Sequence, residues 1–106
     1  MITEQITQLV LVGQLALEGW RLQETASNAE HAYHLAIHAY EREHGQLNKL
    51  IHKDAPEHAA VREFTSPKYQ ALQKARRRVY AHKTRLAKAC AKLARMSAAR
   101  PQGGAA

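Results

Sequence analysis

The chain has 106 residues, with 16 Lys and Arg against nine Asp and Glu, one Cys, one Trp, one Phe and three Pro; that length allows one domain. A single cysteine excludes an intramolecular disulfide framework and fits a reducing compartment. An apolar content of 45% excludes a disordered chain, and few aromatic residues beside abundant alanine argue against an all-β fold.

Residues 2–52 contain no proline and predict a helix. At 100° per residue, Leu11, Leu15, Leu22, Ala26, Ala29, Tyr33, Ala36, Tyr40, Leu47 and Ile51 keep within about 60° of one line. Ser27 and Glu30 have capping-box spacing and offer a bend near residue 27. The stripe holds its phase there, so one continuous helix is preferred. A second apolar face, Ile2, Ile6, Leu9, Gly13, Ala16 and Trp20, lies nearly opposite the first. A helix that is apolar on two sides needs two partners. This face is therefore expected to be a protein interface, for a homo-oligomer or for docking onto a larger complex. The alternative is burial inside a three- or four-helix bundle of the same chain. The apolar run from Leu9 to Leu17 is interrupted by Gln14 and closed by Glu18, short of the roughly 20 residues a bilayer demands. The opening Met1-Ile2-Thr3-Glu4 lacks the basic start of a secretory signal. A cytoplasmic protein without a membrane partner is expected.

Residues 53–66 carry the punctuation. Asp54 with Glu57 has capping-box spacing and predicts a short helix over about 55–64. Ser66 before Pro67 reads as an N-cap with proline in the first turn, starting a helix over about 67–98. That helix has its own stripe of Leu72, Ala75, Val79, His82, Leu86, Ala89, Leu93 and Met96, in alternating steps of three and four. The predicted fold class is all-α: a long antiparallel helical hairpin, or a bent three- or four-helix form of it, completed by oligomerisation or docking. Residues 1–100 make a single helical domain and 101–106 a flexible tail.

Charge is segregated along the chain. Residues 1–63 hold all nine carboxylates against five cations, and residues 64–106 hold eleven cations against none. Lys74, Arg77, Arg78, Arg85, Lys88, Lys92 and Arg95 cluster broadly opposite the Leu72/Val79/Leu86/Leu93 line, a ridge about 30 Å long at the helical rise. Seven like charges with no local carboxylate gain most from an external polyanion. Tyr69, Arg76, Tyr80 and Lys83 share an edge between stripe and ridge, an interleaving that suits stacking on single strands. The plainer reading puts both tyrosines at the rim of the helix pair.

Catalytic patterns are missing. His31, His34, His38 and Glu41 share a face at metal-ligand spacing, but an exposed row lacks the sheltered pocket of a natural site. Glu41-Arg42-Glu43-His44 matches one Glu-x-x-His element of di-iron bundles, whose remaining ligands the second long helix cannot supply. Gly13, Gly19 and Gly45 are isolated, so no phosphate loop forms. Cys90, near the inner stripe, is expected as a small buried hydrophobe. No metal, cofactor or enzymatic activity is expected.

The expected function is a small non-catalytic protein that binds nucleic-acid backbone without sequence choice, as an accessory subunit of a nucleoprotein assembly. Lys74, Arg76, Arg77, Arg78, Arg85, Lys88, Lys92 and Arg95 would meet phosphates, and Tyr69 and Tyr80 would add stacking. The alternatives are a phage- or plasmid-borne adaptor or inhibitor docking an acidic protein surface, and a structural helical oligomer.

Overall fold

The computed structural model describes residues 2–45 and 58–99, with the backbone alone described at 99. Two helices account for nearly all of them: α1, Thr3–His44, and α2, Ala59–Ala99. No strand occurs among the described residues. The fold is all-α with the topology of a two-helix hairpin. It divides into two compact units, one of Met1–Leu22 with Arg78–Ala106 and the other of Gln23–Arg77.

Both ends of α1 follow from local chemistry. At its start, the backbone N–H of Ile2 donates to Gln5 Oε1 at 3.4 Å, one half of a capping box. Glu4 in the first turn suits the positive end of the helix dipole. At its end, Gly45 takes φ +95°, and its N–H donates to the Glu41 carbonyl at 2.8 Å. That is a left-handed C-cap, which glycine enters without a Cβ penalty. The cap stops α1 at residue 44, where the sequence predicted a helix to 52. Through Ser27 the helix runs unbroken, as the stripe phase required. Leu47, Ile51 and the Asp54/Glu57 capping box lie outside the described residues.

α2 departs from expectation at its start. Residues 59–64 are not a separate short helix, and Ser66-Pro67 caps nothing, because one helix runs from Ala59 through Pro67 to Ala99. Proline removes an N–H and leaves the carbonyl four residues back, that of Glu63, without its helical donor. Glu63 and Pro67 are both exposed, so water can take that carbonyl's place. The Thr65 hydroxyl donates to the Val61 carbonyl at 2.8 Å within the preceding turn, and Ser66 Oγ accepts from Gln70 Nε2 at 3.2 Å.

In the Gln23–Arg77 unit the helices run antiparallel. Arg76 pairs with Glu30 at 3.8 Å, Tyr69 packs on Tyr33 at 5.3 Å between ring centroids, and Phe64 packs on Tyr40 at 5.6 Å. Val61, Leu72 and Ala75 are its buried apolar side chains. Burying Leu72 contributes about 2 kcal/mol.

The other unit is also antiparallel, but its seam is polar. Gln5, Gln8, Val12, Leu15, Gly19 and Leu22 face α2 in alternating steps of four and three, and Gln5 and Gln8 are buried. Gln5 Nε2 donates to the Met96 carbonyl at 3.4 Å, and Gln8 Nε2 to the Ala89 carbonyl at 2.9 Å. Going the other way, His82 Nε2 meets the Leu15 carbonyl at 2.6 Å. An imidazole nitrogen facing a carbonyl must carry the proton, which makes His82 the donor. Leu15 is the buried apolar side chain of this unit. Leu11, expected on the inner stripe, is exposed instead. In α2 the expected stripe holds: Leu72, Ala75 and His82 are buried, and Val79, Leu86, Ala89, Leu93 and Met96 are half-buried. Cys90 is exposed, one step outside that seam, so it is not the buried hydrophobe its position suggested.

Candidate functional site

In the unit that pairs Met1–Leu22 with Arg78–Ala106, the described residues carry seven cations, from Arg21 to Arg95, against Glu4 and Glu18. In the Gln23–Arg77 unit the described residues carry six cations against five carboxylates. The charge excess therefore gathers in the first of these.

The heptad of α2 places those cations. Arg78, Arg85 and Lys92 repeat every seven residues immediately beside the seam, and Lys88 and Arg95 lie one step further round the same flank. All five are exposed. Arg78, Arg85 and Lys92 border the seam on one side, and Lys88 and Arg95 stand further round, toward the outer face of α2. The shallow groove of about 370 Å³ bounded by Thr3, Glu4, Thr7, Gln8, Lys92 and Met96 fixes which side of α1 this flank adjoins. Glu4 and Glu18 both occupy that side of α1 in the heptad. Glu18 Oε1 instead stands 4.0 Å from His82 Nδ1. None of the five cations makes an ion pair with a described carboxylate. Such a row concentrates positive potential along that flank.

The other expected phosphate contacts lie in the Gln23–Arg77 unit. Lys74 and Arg77 are exposed there, and Arg76 is engaged with Glu30. Tyr69, in the same unit, packs on Tyr33 and accepts a hydrogen bond from Gln73 Nε2 at 2.7 Å. Tyr33 is half-buried, and burial, with the neighbouring Tyr69 adding to it, raises its phenol above the ordinary tyrosine value. Tyr80 is 76% exposed and points away from the seam on the flank of α2 that carries Lys83 and Cys90, not on the flank of Arg78, Arg85 and Lys92.

The expected protein interface is exposed throughout. Ile2, Ile6, Leu9, Gly13 and Ala16 face outward, and Trp20 is 61% exposed. Val10, Leu11 and Leu17 join them on the outside of α1. The N-terminal half of α1 is thus inverted, with glutamines in the seam and large aliphatic side chains outside. Sequence reasoning missed Gln5, Gln8 and Gly19 as seam residues. The signal was available: stepping back from Ala29, Ala26 and Leu22 by fours and threes lands on Gly19, Leu15, Val12, Gln8 and Gln5.

Among the described residues the histidines do not come together with other potential ligands. His31, His34 and His38 are exposed, His44 packs on Tyr40 at 4.4 Å, and no group of three potential ligands occurs among the described residues. No described helix is long and apolar enough to cross a membrane. No protein-family model matches the chain, and neither a curated protein nor a solved structure does.

Proposed function

We propose that the chain binds the backbone of a nucleic acid, without sequence choice, along the flank of α2 that carries Arg78, Arg85, Lys88, Lys92 and Arg95. What carries this reading is a row of five exposed cations with no ion-pair partner among the described carboxylates. The row extends about 25 Å at the helical rise. A regular spacing of single charges along a rod suits a polymer of regularly spaced phosphates better than one compact acidic patch. No base-reading device accompanies it: the flank offers long flexible cations and no Asn, Gln or aromatic side chain. Affinity would therefore come from counterion release.

The test is titration of labelled single-stranded and duplex oligonucleotides at several salt concentrations. Five phosphate contacts give a log–log salt slope of about −3.5 on single strands and about −4.5 on duplex. A variant carrying Arg85→Glu, Lys88→Glu and Lys92→Glu should lose binding and keep its helical circular dichroism. Undiminished binding by that variant refutes the proposal. Capture of an acidic protein that survives nuclease, with no oligonucleotide binding, replaces it with the adaptor reading.

A further inference from the structure

We infer that the outward apolar face of α1, from Ile2 to Trp20, is the docking surface for a second copy of this chain, joined through a two-fold crossing centred on Gly13. The inference stands apart from nucleic-acid binding, since it concerns the opposite flank.

The first argument is area. Ile2, Ile6, Leu9, Val10, Leu17 and Trp20 are each about half exposed or more. At about 100 Å² apiece they present roughly 600 Å² of apolar surface, the upper end of what a monomer shows and close to the ~800 Å² each partner buries in a standard interface. Inside the same unit, Leu15 is the buried apolar side chain. The rest of its apolar seam, Val12, Leu22, Val79, Leu86, Leu93 and Met96, is only half-buried. A second layer laid on that face would complete a core that two helices leave unfinished.

Charge decides which flank can meet a copy of itself. From Ile2 to Trp20 the rows Ile2/Leu9/Ala16 and Ile6/Gly13/Trp20 contain no ionisable side chain. The adjoining flank of α2 is nearly neutral too: Ala87, Cys90, Ala94 and Ser97 occupy it, with Lys83 as its cation. The other flank of this unit carries Arg78, Arg85, Lys88, Lys92 and Arg95 and repels its own copy. Contact through this flank keeps the two basic rows outside and apart.

Self-complementarity then fixes the register. A closed dimer needs a surface that meets itself, residue i on j and j on i. When two copies of α1 cross antiparallel at Gly13, residue i faces residue 26−i. Each Trp20 then covers the partner's Ile6, each Leu9 meets Leu17, and Val10 meets Ala16. Ile6, Leu9, Val10, Ala16, Leu17 and Trp20 each find an apolar partner, and Ile2 falls opposite Glu24 at the rim of the contact. At the crossing itself stand two glycines, and a Cβ on Gly13 would have nothing within 4 Å beyond its chain neighbours and the adjoining backbone of its own helix. The space there is open to the other copy, and small residues let two helix backbones approach closely.

Trp20 is the sole tryptophan and reports the contact directly. Sedimentation equilibrium of the purified chain, free of nucleic acid, should give a dimer, and dilution should release monomer together with a red shift of Trp20 emission. Trp20→Glu should weaken the dimer more than about tenfold. If that variant also loses helicity, a second measurement decides. In a Cys90→Ser background, Gly13→Cys should form a disulfide-linked dimer on mild oxidation, and Gln14→Cys, on the other flank, should not. A monomer at every concentration overturns the inference, as does a dimer that Trp20→Glu leaves intact. Cross-linking at residue 14 but not at 13 overturns the two-fold register.

Discussion

Gly19 makes room for the ring of His82: a methyl group at residue 19 would stand 3.0 Å from His82 Cδ2 and 3.3 Å from its Nε2. The ring cannot retreat easily. It is 3% exposed, and its Nε2 is held on the Leu15 carbonyl at 2.6 Å. Gly19→Ala therefore sets two effects against each other. Alanine gains up to about 1 kcal/mol in helix propensity, and overpacking a pinned ring costs about 1–3 kcal/mol. We expect a net loss of stability in urea or thermal unfolding. In a His82→Ala background the clash is gone, and the same substitution should stabilise. A double-mutant cycle with no coupling between residues 19 and 82 would contradict this packing.

The polar seam makes a second prediction. Gln8 is buried and donates to the Ala89 carbonyl, which lies in the interior of α2 and keeps its own helical N–H donor. Gln8→Ala loses a hydrogen bond and leaves a gap, costing about 1–2 kcal/mol. Gln8→Leu also loses the bond, but it fills the space and orphans no acceptor. It should be neutral or stabilising by thermal melt. A loss with leucine as large as with alanine would show that the bond, not the volume, holds the seam.

How much of this was legible in the sequence depended on whether apolarity and periodicity agreed. In α2 they do: Leu72, Ala75, Val79 and Leu86 are both apolar and in phase, and the seam was readable with His82 included. In the first half of α1 they disagree. Leu11 looked like a seam residue because it is apolar, yet the phase belongs to Gln8, Val12 and Leu15. A reading that ranks residues by hydropathy discards buried glutamines, because burial of an amide is favourable only once its partner is known. The carbonyls of Met96 and Ala89 lie more than 80 residues away. The outward face of Ile2, Ile6 and Trp20 was legible for the same reason the seam was not: it is where the apolar residues are. The basic row was legible as charge, and its place beside the seam required the heptad register.

Tyr33 predicts an alkaline limit to stability. Its folded value lies above the unfolded value of about 10 because burial, and secondarily Tyr69, disfavour the phenolate. The unfolded chain therefore releases this proton first as pH rises. Between the two values the native state binds more protons than the unfolded state, so stability falls with increasing pH. The contribution is fully present below pH 10 and is lost as pH climbs through the folded value. Thermal unfolding followed above about pH 10 should show this loss, and Tyr33→Phe should lessen it. An unchanged slope in the variant would assign the alkaline transition to other groups.

Pro67 separates the two accounts of where α2 begins. If residue 67 opened a helix, proline would suit it, because the first-turn N–H has no helical acceptor and φ is already set. Replacing it with alanine would then be neutral or slightly destabilising. In the structure residue 67 lies in the third turn, eight residues after Ala59, with the helix continuous on both sides. There proline costs a backbone hydrogen bond and crowds the Glu63 carbonyl, about 3 kcal/mol in an ideal interior position. Both residues are exposed, so water softens that cost. Pro67→Ala should therefore stabilise the fold by about 1–3 kcal/mol, restore an N–H donor to Glu63, and raise the midpoint of urea unfolding without changing its slope. Amide hydrogen exchange gives the local check: the turn from Glu63 to Ala71 should become better protected in the variant, whereas a helix that starts at Ser66 would show no gain before residue 66.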